Sequence, residues 1–157
     1  MSAQKLQNVF LFVVFAILYL TCKKEEKISR SDLLTKGAWR LTGLISHGDF
    51  NGDGVIDPQD KDNFTATAYC TNDDRLTFNI DGSGVYDNGT DTCDFGVPQQ
   101  TRFTWTFYNP FTGVEDDRVI KFTGFGFDAL SIEELNTSTL RTKYFFPGGY
   151  HLITYGH

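Results

Sequence analysis

The sequence predicts an all-β fold, an eight-stranded antiparallel up-and-down barrel preceded by a short N-terminal helix. Three observations predict it. Fifteen Phe, seven Tyr and two Trp supply the bulky rings that strands favour, and fifteen Gly supply turns. Eight segments carry strand-like patterning and are mostly joined by short turn signals, as a meander requires. Eight antiparallel strands lose their open edges by closing into a barrel. At 157 residues with 40% hydrophobic content, the chain holds about one domain and one core.

Residues 1–8 carry one Lys, and residues 9–20 are twelve uninterrupted apolar residues. A helix of that length rises only about 18 Å, short of the roughly 30 Å hydrocarbon core, so the run reads as the apolar part of a signal peptide. Cys22 stands where cleavage is expected, which resembles the lipobox of bacterial lipoproteins, although Leu20 and Tyr19 depart from its usual residues. The expected organisation is a signal peptide at 1–21, a lipidated Cys22 with a polar tether at 22–30, and a barrel domain at 31–157. The resemblance implies an outer-membrane lipoprotein of the cell envelope. Lys24-Glu25-Glu26 is similar to the short tag that exports some of these proteins to the cell surface. The formal charge is −6, and removing Lys5 with the leader leaves −7. Such a chain repels phosphate backbones, so nucleic acid is excluded as a partner.

Ser31-Asp32-Leu33-Leu34 reads as a capped short helix ending by Gly37. The first strand is expected at 38–46, with Trp39, Leu41 and Ile45 on one face. Two strands, 75–80 and 84–88, flank the Asp81-Gly82 hairpin signal. In residues 101–108, Phe103, Trp105 and Phe107 alternate with Arg102, Thr104 and Thr106, as a half-buried strand should. The remaining strands fall at 118–123, 127–133, 139–146 and 150–155.

With Cys22 assigned to lipid, Cys70 and Cys93 remain, an even number in an oxidising compartment. They are expected to bond to each other. A two-residue Asp81-Gly82 turn makes paired positions sum to 163, as 70 and 93 do; a three-residue turn with Gly82 left-handed shifts the register by one and keeps the sulfurs within reach. The alternative of two metal-binding thiols lacks further Cys or paired His.

Gly37-Ala38-Trp39 opens the first strand after a short helix. Cys70-Thr71-Asn72-Asp73-Asp74-Arg75-Leu76-Thr77-Phe78, Asp81-Gly82-Ser83, Cys93-Asp94 and Phe103-Thr104-Trp105 follow in order. The set resembles the lipocalin-like domains of bacterial lipoproteins and covers most of the chain after the leader. The resemblance implies that Gly37 and Trp39 form the barrel-closing motif, with the Trp plugging one end. Lipocalins often stack an Arg from the last strand on that Trp. Residues 150–157 contain none, and Arg141 is the candidate substitute.

Residues 49–60 carry the sharpest chemical motif. Calcium takes six to eight hard oxygens, and side chains at loop positions 1, 3 and 5 with a carbonyl at 7 can wrap the ion when Gly makes the turn at 6. Asp49, Asn51 and Asp53 fit those positions, Gly54 the turn and Val55 the carbonyl; Asp57 would act through water and Asp60 would replace the usual Glu. Ile56 is expected to point to the core. Without an entering helix or a second loop, structural calcium is the expectation, and a polar connection stiffened by Asx turns is the alternative.

His47, His151 and His157 are the only histidines, and no G-x-S-x-G, H-E-x-x-H or phosphate loop occurs. Glu133 and Glu134 are adjacent, and a regular strand sends them to opposite faces. No enzyme is expected. Two functions compete: a barrel holding a small hydrophobic ligand, or a solid barrel serving as a structural or envelope-protein interaction module. A cavity of a few hundred Å³ at the end away from Trp39 marks the first. An interior filled by Phe103, Trp105, Phe107 and Phe122 marks the second.

Overall fold

The computed structural model describes residues 28–91 and 96–157, apart from the side chains of Ala68 and Tyr69. The leader, Cys22 and Cys93 lie outside the described residues. A short helix α1 (Arg30–Leu34) is followed by β1 (Ala38–Gly48), β2 (Lys61–Asp62) and a second helix α2 (Asn63–Thr71). The meander then runs β3 (Arg75–Phe78), β4 (Ser83–Asp87), β5 (Gln100–Phe107), β6 (Val119–Thr123), β7 (Ala129–Leu135), β8 (Thr139–Phe146) and β9 (Gly149–Gly156). All neighbouring strands pair antiparallel, and β1 also pairs with β9 from Arg40 to Gly48. That last ladder closes eight strands into a barrel, with the two-residue β2 laid beside β1 outside the ring. Eight strands leave an interior just wide enough for side chains or one small ligand.

The eight expected strands all form, each within two residues of its expected limits. Where the register bends, sequence periodicity misplaces side chains. In β1 the pairing shifts between Leu41 and Gly43, a bulge. Because an extra residue reverses the alternation, Leu44 follows Leu41 onto the inner face opposite Ile153, and Ile45 turns outward, half exposed. A second shift between Ile132 and Glu134 undoes the expected separation of the two glutamates. Both reach outward cations, Glu133 to Lys143 at 3.5 Å and Glu134 to Arg141 at 2.9 Å. Arg141 is thus committed to an ion pair on the outer wall.

Helix α1 has its cap two residues earlier than expected. Ser29 is the N-cap: its hydroxyl accepts from the Asp32 amide at 3.0 Å, while the Asp32 carboxylate accepts from the Ser29 amide and hydroxyl. Such reciprocal capping satisfies donors that a helix start otherwise leaves open. The turn between β3 and β4 takes the three-residue form. Gly82 sits at φ +82°, Asn79 donates to the Ser83 carbonyl at 2.8 Å, and paired positions sum to 162. A left-handed residue costs Gly nothing and any side chain something. Upstream, the ladder stops at Arg75, and Cys70 belongs to helix α2, so the register argument for its partner does not extend that far.

Candidate functional site

The two ends of the barrel follow from the chain direction. β1 begins at Ala38, opposite Thr77 near the end of β3, with Trp39 next to it, so the turns 79–82, 108–118 and 136–138 lie at the Trp39 end. At the other end lie the 49–60 loop, α2, and the connections 88–99, 124–128 and 147–148.

The Trp39 end is sealed. Trp39 has no exposed surface, its indole N–H donates to the Leu34 carbonyl at 2.8 Å, and Leu34 lies fully buried with it. Buried aromatic N–H groups need such a partner. The place expected for Arg141 is taken by the residue just past β9. The His157 ring stacks on Trp39 with centroids 3.9 Å apart, and its Nδ1 lies 3.1 Å from the Ala38 carbonyl. Farther in, Phe78, Phe103 and Phe122 contact one another edge-on or tilted, and Trp105 reaches across to donate to the Ser83 carbonyl at 3.0 Å.

Those rings do not fill the barrel. A cavity of about 480 Å³ occupies the opposite half, walled by Leu41, Leu44, Leu76, Tyr86, Phe127 and Ile153 among others. Cys70 and Thr71 of α2, and Val97 and Pro98 of the 88–99 connection, stand along its edge. The volume falls in the range of small-molecule sites, and a mostly apolar wall with a few polar groups is their usual composition.

The polar groups come from the β3–β4 hairpin, with Asp74 just before β3 and Tyr86 on β4, and from Tyr155 of β9. Asp74 lines the cavity and is only 4% exposed. Its Oδ2 accepts from the Tyr86 hydroxyl at 2.5 Å, while Oδ1 is buried with no protein donor. Burial lifts the Asp74 carboxyl above the ordinary range; the Tyr86 hydrogen bond opposes this, and the charges of Asp73 and Asp87 add to it. The phenols of Tyr86 and Tyr155 are likewise pushed up, chiefly by burial. Neighbouring Asp73 turns the other way, accepting from the Thr90 amide at 2.6 Å and the Thr90 hydroxyl at 3.0 Å, which ties the 88–99 connection to β3.

A second polar knot lies toward the end of β1. Ser46 Oγ is 2.6 Å from His151 Nδ1, and the Asn63 side-chain amide donates to the same oxygen. Burial holds the His151 imidazole below its usual range. The pair has the atoms of a nucleophile and a base, but the Ser46 hydroxyl belongs to a residue only 1% exposed, closed to an incoming substrate. The knot fastens α2 to β1 and β9.

The 49–60 loop brings three of its six expected ligands, Asn51, Asp53 and Asp57, into contact. Asp49 accepts from the Gly52 and Gly54 amides at 2.7 and 2.8 Å, and the Asn51 amide nitrogen lies between Asp53 Oδ2 and Asp57 Oδ1 at 3.1 and 3.3 Å. The Gly54 amide hydrogen bond chiefly holds the Asp49 carboxyl below its ordinary value. Gly54 adopts φ +86°, as the motif requires at its sixth position. Asp60 is elsewhere, 2.6 Å from His47 Nδ1, and Val55 is exposed. Ile56 is 50% exposed and does not reach the core, because the loop projects beyond the last paired residues of β1. Among the described residues, no three His, Cys, Asp or Glu side chains are close enough to hold a metal in this conformation. The donor chemistry suits a hard cation, and the arrangement present is a network of Asx turns.

No family model, curated protein or solved structure matches the chain. The class is therefore defined by the fold alone: a closed, eight-stranded antiparallel barrel, sealed at one end and hollow at the other. No helix among the described residues is long and apolar enough to cross a membrane.

Proposed function

We propose that this chain is a lipid-anchored cell-envelope protein whose lipocalin-like barrel binds one small hydrophobic ligand, and that it is not an enzyme. The observation that carries the reading is the cavity of about 480 Å³ at the end away from Trp39. A packed interior normally leaves few voids larger than a water molecule, and an apolar space of this size forgoes contacts that a ligand would restore. The sealing of the other end by α1, Trp39 and His157 agrees with the lipocalin-like resemblance.

The anchor is Cys22, exposed by removal of residues 1–21 and separated from α1 by a short polar tether. In the envelope Cys70 pairs with Cys93, which would bind the cavity-edge helix α2 to the 88–99 connection. In the 49–60 loop, Asp49, Asn51, Asp53, Asp57 and the Val55 carbonyl would hold a structural calcium ion, and Asp60 would join by leaving His47. Calcium there would supply only positive charge and fixed geometry, pinning the loop to the end of β1.

A fluorescence titration with the apolar probe phenylnaphthylamine tests the binding function. Stoichiometric binding is expected, and Leu44→Trp, which fills the cavity from its wall, should weaken it at least tenfold. An unbound probe, or one that binds Leu44→Trp equally well, overturns the reading.

A further inference from the structure

We propose that the cavity selects an apolar amine, seating a protonated nitrogen against Asp74 Oδ1 with its hydrocarbon body against Leu41, Leu44 and Ile153. The inference rests on the binding function proposed above and specifies the chemistry of the ligand's head. Asp74 is the only charged side chain among the described residues that line the cavity. It is nine-tenths buried and more, and Tyr86 uses only one of its two oxygens. A buried polar atom without a partner is costly and rare in folded proteins, so Oδ1 marks a place where a donor belongs.

The surroundings decide which donor. No Lys, Arg or His lines the cavity, so an anionic head such as a fatty-acid carboxylate would meet Asp74 with nothing to neutralise it. Asp73 and Asp87 deepen the negative potential at Asp74. Four aromatic rings, those of Tyr86, Phe125, Phe127 and Tyr155, also line the space. Ring faces attract ammonium groups, more strongly where water is excluded. A carboxylate set among rings, with no competing cation, suits an alkylammonium better than an alcohol and far better than a carboxylate.

Three ten-carbon competitors that differ only in the head test this against the bound phenylnaphthylamine: decylamine, decanol and decanoate at neutral pH. Decylamine should displace the probe at a concentration at least tenfold lower than decanol, and decanoate should be the poorest. Asp74→Asn should erase the advantage of decylamine over decanol while leaving the affinity for decanol within twofold. Equal displacement by all three, or best displacement by decanoate, overturns the head-group inference and leaves the cavity function standing. Displacement by none overturns both. An amine preference that persists in folded Asp74→Asn also overturns it; if that variant does not fold, the ranking on the unaltered protein decides alone.

Discussion

At the sealed end, Leu34, Trp39, Ile120 and Leu140 have no exposed surface, and each polar atom of the plug has a near partner: the Trp39 indole holds the Leu34 carbonyl and His157 covers the ring. At the hollow end, the inner faces of β1, β3 and β9 present Leu41, Leu44, Leu76 and Ile153 to about 480 Å³ of space, and Asp74 keeps one oxygen without a protein donor. One end is optimised for packing and the other forgoes it. The difference teaches that closure of the barrel does not require a filled interior, and that the energetic cost of the hollow half must be met by the sealed half and the bracing at its rim.

Breaking the sealed end should have the largest effect. Trp39→Ala removes the plug, its hydrogen bond to Leu34 and its stack on His157, and losses of this kind cost about 3 to 5 kcal/mol. Urea denaturation should report it; a loss under about 1 kcal/mol would mean that the plug is not what holds this end. Bracing at the open rim comes next. Reduction of the proposed Cys70–Cys93 bond should cost roughly 3 kcal/mol in the chain-entropy model, and the intact, lipidated protein under air should show no titratable thiol. Thiols that react in the folded state would remove the brace.

Asp74 sharpens the comparison through pH. Its folded pKa is raised, so its contribution to stability is fully present below the ordinary carboxyl pKa and is lost as pH rises through the folded value. Asp49, Asp73 and Asp87 are shifted down, so their contributions are present above the ordinary value and lost as pH falls through the lowered ones. Asp74→Asn should therefore gain stability relative to the unaltered protein progressively above about pH 4. Parallel stability curves between pH 4 and 7 would show that Asp74 bears no burial cost. The smallest effect belongs to the 49–60 loop, which lies outside the core. Millimolar calcium should raise the melting temperature by a few degrees and Asp53→Ala should abolish the rise; identical melts with calcium and with chelator would leave the loop a set of Asx turns.

The strands were legible because alternation of apolar and polar residues is a local signal, visible in Phe103, Trp105 and Phe107 without knowledge of their partners. Bulges are less so: Gly43 is the one local sign of a bulge in residues 41–45, but that Leu44 displaces Ile45 from the inner face is fixed by pairing with β9, over a hundred residues away. Helix α2 was missed because Asn63–Thr71 is rich in Thr and carries no apolar stripe. Its one signal was the cap, with the Asp62 carboxylate accepting from the Thr65 amide and hydroxyl. The calcium motif foretold the turn at Gly54 but not the attraction of Asp60 to His47. Asp74 was visible only as part of a Cys-to-Phe motif. Its pairing with Tyr86 is a contact within the β3–β4 hairpin, twelve residues apart, but its place in a cavity wall with Leu44, Phe127 and Ile153 depends on strands remote in sequence.

The central claim is that the interior is solid at one end and a ligand site at the other, and amide chemical-shift mapping during titration with decylamine tests it most directly. Shifts should concentrate at Leu41, Leu44, Leu76, Phe127 and Ile153, with Leu34, Ile120 and Leu140 unmoved. Shifts that fall instead on outward residues such as Ile45 and Phe145, or that spread evenly through the sealed end, would contradict it.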